Sequence, residues 1–140
     1  MINIYLNFND NCENAFHFYK SVFGGEFAHF SRFGEMPESD DYKVPESDKN
    51  KVMHVSLPIG NSVLMGSDVG GDWAPSHVLG NNFSVSITPE NKKEADTIFS
   101  ALSEGGNVTT PLHDTFWGAY FGMLTDQFGV NWMINLEAQN

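Results

Sequence analysis

Basic residues are scarce in this chain of 140: seven lysines and arginines stand against eighteen aspartates and glutamates, for a formal charge of −11. That balance repels phosphodiester backbones and anionic lipid, so neither nucleic acid nor a membrane surface is an expected partner. Cysteine is nearly absent. The single Cys12 closes no internal disulfide and fits the reducing cytoplasm, which is the expected location. No apolar run approaches the roughly 20 residues that span a bilayer. Met1 leads straight into a strand-like segment, without the basic region and apolar stretch of a signal sequence. What the chain does have is apolar mass: 41% hydrophobic residues and 14% aromatics, enough to bury a core and exclude disorder. One domain, or two small modules sharing a core, follows from the length.

The order of elements repeats. Ile4, Leu6 and Phe8 alternate with Asn3, Tyr5 and Asn7 as in a half-buried strand, and Phe83, Val85 and Ile87 alternate likewise with Asn82, Ser84 and Ser86. A helix follows the first strand from about Asn11 or Glu13 to Phe23, with Ala15, Phe18, Tyr19 and Val22 on one face and Gly24-Gly25 as its stop. A second helix runs from Glu90 to Ser103, with Ala95, Ile98, Phe99 and Leu102, stopping at Gly105-Gly106. Asn82 lies 79 residues after Asn3, and Ala95 lies 80 after Ala15. Two copies of one module are expected: module one at 1–68, a linker at 69–80, and module two at 81–140.

Three strands follow each helix. In the first half they are Glu26 to Phe33, Lys51 to Ile59 and Ser62 to Gly66, the last two joined by the hairpin dipeptide Gly60-Asn61. In the second half they are Asn107 to Pro111, Ala119 to Thr125 and Val130 to Leu136. Each half is therefore βαβββ and the class is α+β. The segment from Gly34 to Asn50 carries six carboxylates (Glu35, Glu38, Asp40, Asp41, Glu46, Asp48) and two prolines, which suits a solvated loop or a mobile lid rather than a strand.

Two such modules bury one sheet face under their helices and curl the other around a cleft. Ile4, Leu6, Phe8, Phe83, Val85, Ile87, Trp132 and Ile134 have the parity of the core. Asn3, Tyr5, Asn7, Asn82, Ser84, Ser86, Asn131, Met133 and Asn135 have the parity of the cleft, and this set is polar and rich in amides. A sheet face wetted on one side is polar in any case, so the polarity alone does not define a site.

The last quarter packs two aromatic strands around one glycine turn, Asp126-Gln-Phe-Gly129. Thr115-Phe-Trp-Gly, Asp126-x-Phe-Gly and Trp132 there, Tyr5-Leu-Asn-Phe8, Ala15-Phe-His-Phe-Tyr19 and Val22-Phe-Gly-Gly25 at the start, and Met53-His-Val-Ser and Leu64-Met-Gly-Ser-Asp68 in the middle cover most of the chain. Together they resemble the PhnB-like branch of the vicinal-oxygen-chelate superfamily, which includes glyoxalases, extradiol dioxygenases and bleomycin and fosfomycin resistance proteins. That branch is often labelled demethylubiquinone methyltransferase-like. The resemblance implies the glyoxalase/bleomycin resistance/dioxygenase fold and a homodimer, which the exposed sheet edges of an open half-barrel also favour.

The resemblance also implies where a divalent metal would sit, with His at the start of each module and a carboxylate in each module's final strand. Those positions hold Asn3, Asn82, Met65 and Met133. Amide oxygens only supplement carboxylates around hard cations, and a thioether suits copper, so the family's usual metal site is not expected and no cofactor is assigned. A metal at a displaced site stays open as the alternative. None of the five histidines pairs with another at the i, i+2 or i, i+4 spacing that places two ligands together. His54, inside a strand, is the candidate for acid–base or ligand-orienting work, against the common role of a hydrogen-bonded structural histidine. His17 reads as exposed on the first helix, and His77 falls in the linker.

Other chemistries find less support. No two glycines are separated by a single residue, so the glycine-rich turn that cradles a nucleoside cofactor is missing, and there is no G-x-S-x-G elbow. Cys12 lies near a helix start without a basic neighbour in sequence and reads as a packed residue. Phe116, Trp117, Tyr120 and Phe121 offer an aromatic wall, with Trp117 and Tyr120 as the candidates for ligand contact and Phe121 and Trp132 as core filling. The leading function is non-catalytic binding of a small molecule by Asn3, Tyr5, Asn7, Met65, Asn82, Ser84, Trp117, Tyr120 and Met133, together with His54. The alternative is a glyoxalase- or dioxygenase-like lyase, isomerase or oxygenase, with its metal at a displaced site or His54 as base. A third reading is an assembly module whose cleft its own side chains fill.

Overall fold

The computed structural model describes residues 1–37, 43–70 and 75–138. The middle of the acidic 34–50 segment and part of the expected linker therefore lie outside the described residues. The chain divides into two compact units, Met1–Val78 and Leu79–Asn140. In the first, β1 (Ile4–Phe8) leads to α1 (Cys12–Phe23), then β2 (His29–Arg32), β3 (Val52–Ile59) and β4 (Ser62–Asp68). In the second, β5 (Val85–Ile87) leads to α2 (Lys92–Ser103), then β6 (Asn107–Asp114), β7 (Ala119–Thr125) and β8 (Asn131–Glu137). Both sheets have the same order, β1-β4-β3-β2 and β5-β8-β7-β6, with one parallel pair, β1 with β4 and β5 with β8, and antiparallel pairs elsewhere. Each unit is a four-stranded mixed sheet with one helix.

Strand parity decides what each helix covers. In the first unit Leu6, Phe8, Val55, Leu57 and Leu64 are buried with Ala15, Phe16 and Tyr19 of α1. Gly66 of β4 is the seat for Phe16: a Cβ there would stand 2.6 Å from the Phe16 ring and 2.9 Å from the Leu6 carbonyl oxygen. The second unit repeats the device on another strand, where a Cβ on Gly122 of β7 would stand 2.8 Å from the ring of Phe99 in α2. Trp132, Ile134 and Leu124 complete that core.

The helix starts are capped differently. Asn91 caps α2 itself, its side chain accepting from the Glu94 N–H at 2.8 Å, which is why α2 begins after Glu90 rather than at it. Asn11 makes no such bond. The start of α1 is instead tied to the end of β4, where Asp68 accepts the Cys12 N–H at 3.0 Å and the Val52 N–H at 2.9 Å. Burial pushes the Cys12 thiol far above its ordinary range, with Asp68 and Glu13 adding to the shift, so Cys12 is a packed residue and not a thiolate.

Several strands differ from their expected limits: β2 keeps only His29–Arg32 of the expected Glu26 to Phe33, and β4 runs on past Gly66 to Asp68. The segment from Asn82 shortens to three strand residues because Val85 pairs with Trp132 in parallel register, which carries Asn82 and Phe83 alongside the Gly129–Val130 turn, where no strand is available. Asn82 and Ser84 consequently lie outside the strand, and Phe83, expected in the core, is 61% exposed. Strand β6 runs past Pro111 to Asp114, since β6 is an edge strand and Pro111 falls where the register shifts between Thr110 and His113, so its missing N–H breaks no ladder bond. The described ends of the acidic segment are short 3-10 turns, Phe33–Glu35 and Glu46–Asp48, with Val44 and Asp48 buried and Lys51 paired to Asp48 at 3.0 Å.

Candidate functional site

The helix-free face of the first sheet gathers polar groups in two rows. Register aligns Tyr5, Met65, Ser56 and His29 across the four strands, with His54 opposite Ser31 in the next row and Asn7 of β1 beside Ser67 of β4. Side chains in adjacent rows touch. The Tyr5 hydroxyl and His54 Nδ1 lie 3.4 Å apart with the rings stacked at 5.8 Å, and the His29 and His54 rings are 5.3 Å apart. His29 Nε2 is 3.1 Å from Ser31 Oγ. At the end of the second row, His77 Nε2 donates to the Asn7 carbonyl oxygen at 3.0 Å. Ser56 is buried, whereas Tyr5, Asn7 and His29 are exposed.

His29 is the residue that sequence spacing missed. It lies 25 positions before His54 in the chain, and only the β2–β3 pairing, with His29 opposite Ser56 and Ser31 opposite His54, makes the two histidines diagonal neighbours. A histidine in each of two expected strands was the available signal; the unknown was the register that pairs them across the long 33–51 connection. The same register places Tyr5, not Asn3, opposite Met65, while Asn3 precedes the strand and is exposed. His17, as expected, is on the exposed side of α1, 3.7 Å from Glu13. Glu13 belongs to a clamp between α1 and β2: Arg32 donates to both of its oxygens at 2.8 and 2.9 Å and holds its carboxyl below the usual range.

The helix-free face of the second sheet is more apolar. Ser86, Met133, Met123 and Thr110 form one row, and Asn135, Phe121 and His113 the next. The hairpin tip between β6 and β7 adds Trp117, 59% exposed, 6.2 Å from the Phe121 ring and 4.9 Å from Phe116, which is almost fully exposed. Of the four rings expected together, Phe116, Trp117 and Phe121 are neighbours, and Tyr120 is not among them. Tyr120 has the opposite parity and reaches over α2, where its hydroxyl donates to Asp96 Oδ1 at 2.5 Å and Lys92 covers its ring at 4.9 Å. The Asp96 carboxylate beside it raises the Tyr120 phenol above its ordinary range. Glu137 shares the parity of Met133 and Asn135, and with Thr88, Glu90 and Asn135 it lines a concavity at the end of β8.

Among the described residues no three His, Cys, Asp or Glu side chains form a group suited to a metal ion, and no helix is long and apolar enough to cross a membrane. Asn3, Asn82, Met65 and Met133, at the positions where the family's ligands are expected, supply no carboxylate or imidazole.

Two βαβββ units, each a mixed sheet with one helix-covered and one open face, define the glyoxalase/bleomycin resistance/dioxygenase fold. A structure of an enzyme of that class from Burkholderia phytofirmans PsJN shares it, with 18% identity, 94% of this chain and 95% of that one covered, and a TM-score of 0.62. The family model described as 3-demethylubiquinone-9 3-methyltransferase matches residues 1–135, and the chain belongs to that family. It is similar to protein YjdN of Escherichia coli K12, with 30% identity over 96% of this chain and 94% of YjdN. It is similar also to the crystal structure of PA1353 from Pseudomonas aeruginosa, with 41% identity, 99% and 98% coverage, and a TM-score of 0.83. The PhnB protein from Bacillus cereus, described as a putative 3-demethylubiquinone-9 3-methyltransferase, is 27% identical over 96% of this chain and 98% of its own, with a TM-score of 0.74.

Proposed function

We propose that this chain is a small-molecule-binding protein that holds its ligand on the helix-free face of the first sheet, without the superfamily's usual metal site. The observation that supports this reading is the contact cluster of Tyr5, His54 and His29, flanked by Asn7 and Met65, on a face that α1 does not cover. Pockets for small ligands combine apolar area with a few convergent polar groups, and this face has both. Met133 and Trp117 form a second candidate surface on the other sheet, with Ser84 beside its short first strand and Asn82 further out. Tyr120 contributes there only by bracing β7 on α2.

The family's name describes a methyl transfer, and we do not extend it to this chain. Methyl transfer from a nucleoside cofactor needs a cradle for that cofactor, and the sheets here have one parallel pair each, with no G-x-G turn following a strand. A metal-dependent lyase, isomerase or oxygenase is the second reading. It is favoured by one observation, the two imidazoles 5.3 Å apart, which would be the start of a displaced ligand set. A cytoplasmic homodimer completes the proposal.

Native mass spectrometry of protein purified from its own host tests both readings, with elemental analysis after mild dialysis alongside. The binding reading expects a retained organic molecule and no stoichiometric metal. One tightly held zinc, nickel, iron or manganese per chain would replace it with the second reading.

A further inference from the structure

We propose that the group recognised by the first sheet's open face is an oxyanion, the carboxylate or phosphate ester of a small organic ligand. The inference rests on the binding reading above and adds the chemical class of the ligand.

The ten strand positions on that face are Tyr5, Asn7, His29, Ser31, His54, Ser56, Pro58, Val63, Met65 and Ser67, and none is acidic. Among the described residues the acids next to this sheet are turned elsewhere: Asp68 caps α1 from the opposite face, and Glu13 is held by Arg32. The second sheet makes the contrast, because Glu137 stands on its open face and Glu90 joins it at the concavity. A cation or a metal would call for carboxylates on the first sheet. What that face offers is donors.

The tautomer of each ring decides which of its nitrogens donates, and one pair of tautomers leaves both free donors on the open face. When the Tyr5 hydroxyl donates to His54 Nδ1, the proton of the neutral ring sits on Nε2. When Ser31 Oγ donates to His29 Nε2, that ring's proton sits on Nδ1. Among the described residues neither of these N–H groups has a hydrogen-bond partner. Two ring N–H donors on imidazoles 5.3 Å apart suit one acceptor group whose oxygens can be shared. The net charge of −11 opposes an anion at long range, so the short-range donors of this face have that repulsion to overcome.

The test uses the full chain and four matched probes, benzoate, phenyl phosphate, benzyl alcohol and benzylammonium, followed through the imidazole C–H resonances of His29 and His54 by NMR. Benzoate or phenyl phosphate should shift both histidines saturably, and comparison of the two separates a carboxylate from a phosphate ester. His29→Gln, on an exposed edge strand, should weaken that binding on the order of tenfold with the fold intact by circular dichroism, and His54→Gln should do the same. Equal shifts from benzyl alcohol would overturn the oxyanion assignment and leave the binding reading standing. Stronger shifts from benzylammonium would reverse the charge of the ligand and overturn it as well. Saturation of both imidazoles by one equivalent of zinc, with no response to either anion, would overturn it in favour of the metal reading. If no probe moves this face, the assignment falls, and retention of a native ligand then judges the binding reading alone.

Discussion

Replacing Asp126 with alanine should cost this protein about 3 kcal/mol, more than most surface-turn substitutions. Asp126 opens the turn between β7 and β8 and is only 4% exposed. One oxygen, Oδ1, accepts the N–H groups of Phe128 at 2.8 Å and Val130 at 3.0 Å, while Oδ2 accepts the indole N–H of Trp132 at 2.8 Å. Trp132 is fully enclosed, so its N–H has no route to water and its loss counts in full, about 1–3 kcal/mol. The two backbone donors are half-buried and partly rescued by solvent, about 0.5–1.5 kcal/mol each. Removing the carboxylate also removes its own desolvation cost, which trims the total. For a chain of this length the loss corresponds to a melting temperature lower by about 10 °C. Asp126→Asn keeps one acceptor but turns an amide N–H₂ toward one of these donors, so it should recover part of the stability and not all. The decisive assay is a double-mutant cycle with Trp132→Phe, unfolded by urea and followed by far-ultraviolet circular dichroism. A coupling energy of about 1–2 kcal/mol is expected for a buried charge-assisted bond. Coupling near zero, or Asp126→Ala melting within about 2 °C of the parent, would refute the view that the Asp-x-Phe-Gly…Trp pattern is a structural clamp.

Gly66→Ala should destabilise by about 1–3 kcal/mol in thermal unfolding, because its new methyl would meet Phe16 and the Leu6 carbonyl; an unchanged melting temperature would show that α1 slides without cost. Burial raises the Asp68 carboxyl above its ordinary 3.8, opposed by the N–H bonds from Val52 and Cys12, so the folded chain binds this proton more tightly than the unfolded one. The stability Asp68 contributes is then fully present below 3.8 and lost as pH rises through the raised value. The urea midpoint of the parent minus that of Asp68→Asn should fall over that window, and a difference that grows with pH would contradict the assignment. Trp117→Leu should leave stability within about 1 kcal/mol, since the ring is mostly exposed, yet weaken any authentic aromatic ligand severalfold if the second sheet takes part in binding. Unchanged affinity in calorimetry would confine binding to the first unit.

Local patterns carried the elements whose boundaries are set by local chemistry. Strand β7 has the limits expected of it, Ala119 to Thr125, because a turn bounds it on each side, and Gly60-Asn61 joins β3 to β4 with Gly60 at positive φ, as a two-residue hairpin requires. What local patterns do not contain is the partner. Phe83 alternates correctly with its neighbours, and the alternation has no value where the facing chain has already turned away. Tyr120 and Phe121 are both aromatic and adjacent, so composition cannot say which one meets α2. The answer lies in Gly122, whose missing side chain lets Phe99 settle on the even-numbered face and leaves Phe121 on the other. The meeting of His29 and His54 depends on the β2–β3 register, which sets His29 opposite Ser56 and Ser31 opposite His54 and which no spacing rule encodes.

The repeat itself explains why residues could not be copied from one unit to the other. In the first unit the central pair under the helix is Val55 of β3 with Gly66 of β4; in the second it is Gly122 of β7 with Ile134 of β8. Each pair sets one glycine against one β-branched side chain, so the volume beneath a helix phenylalanine is similar in both. The glycine, however, has changed strands. The two units therefore share a backbone plan and a volume rule while differing in which strand yields to the helix, and their open faces are free to diverge in the same way. By register His54 corresponds to Phe121 and Ser31 to His113, so an imidazole in one unit faces solvent where a phenyl ring does so in the other. A fold that preserves volumes under its helices and nothing on its open faces can lose one ligand set and acquire another without disturbing its core. The Tyr5, His29 and His54 cluster is placed where such a change costs least.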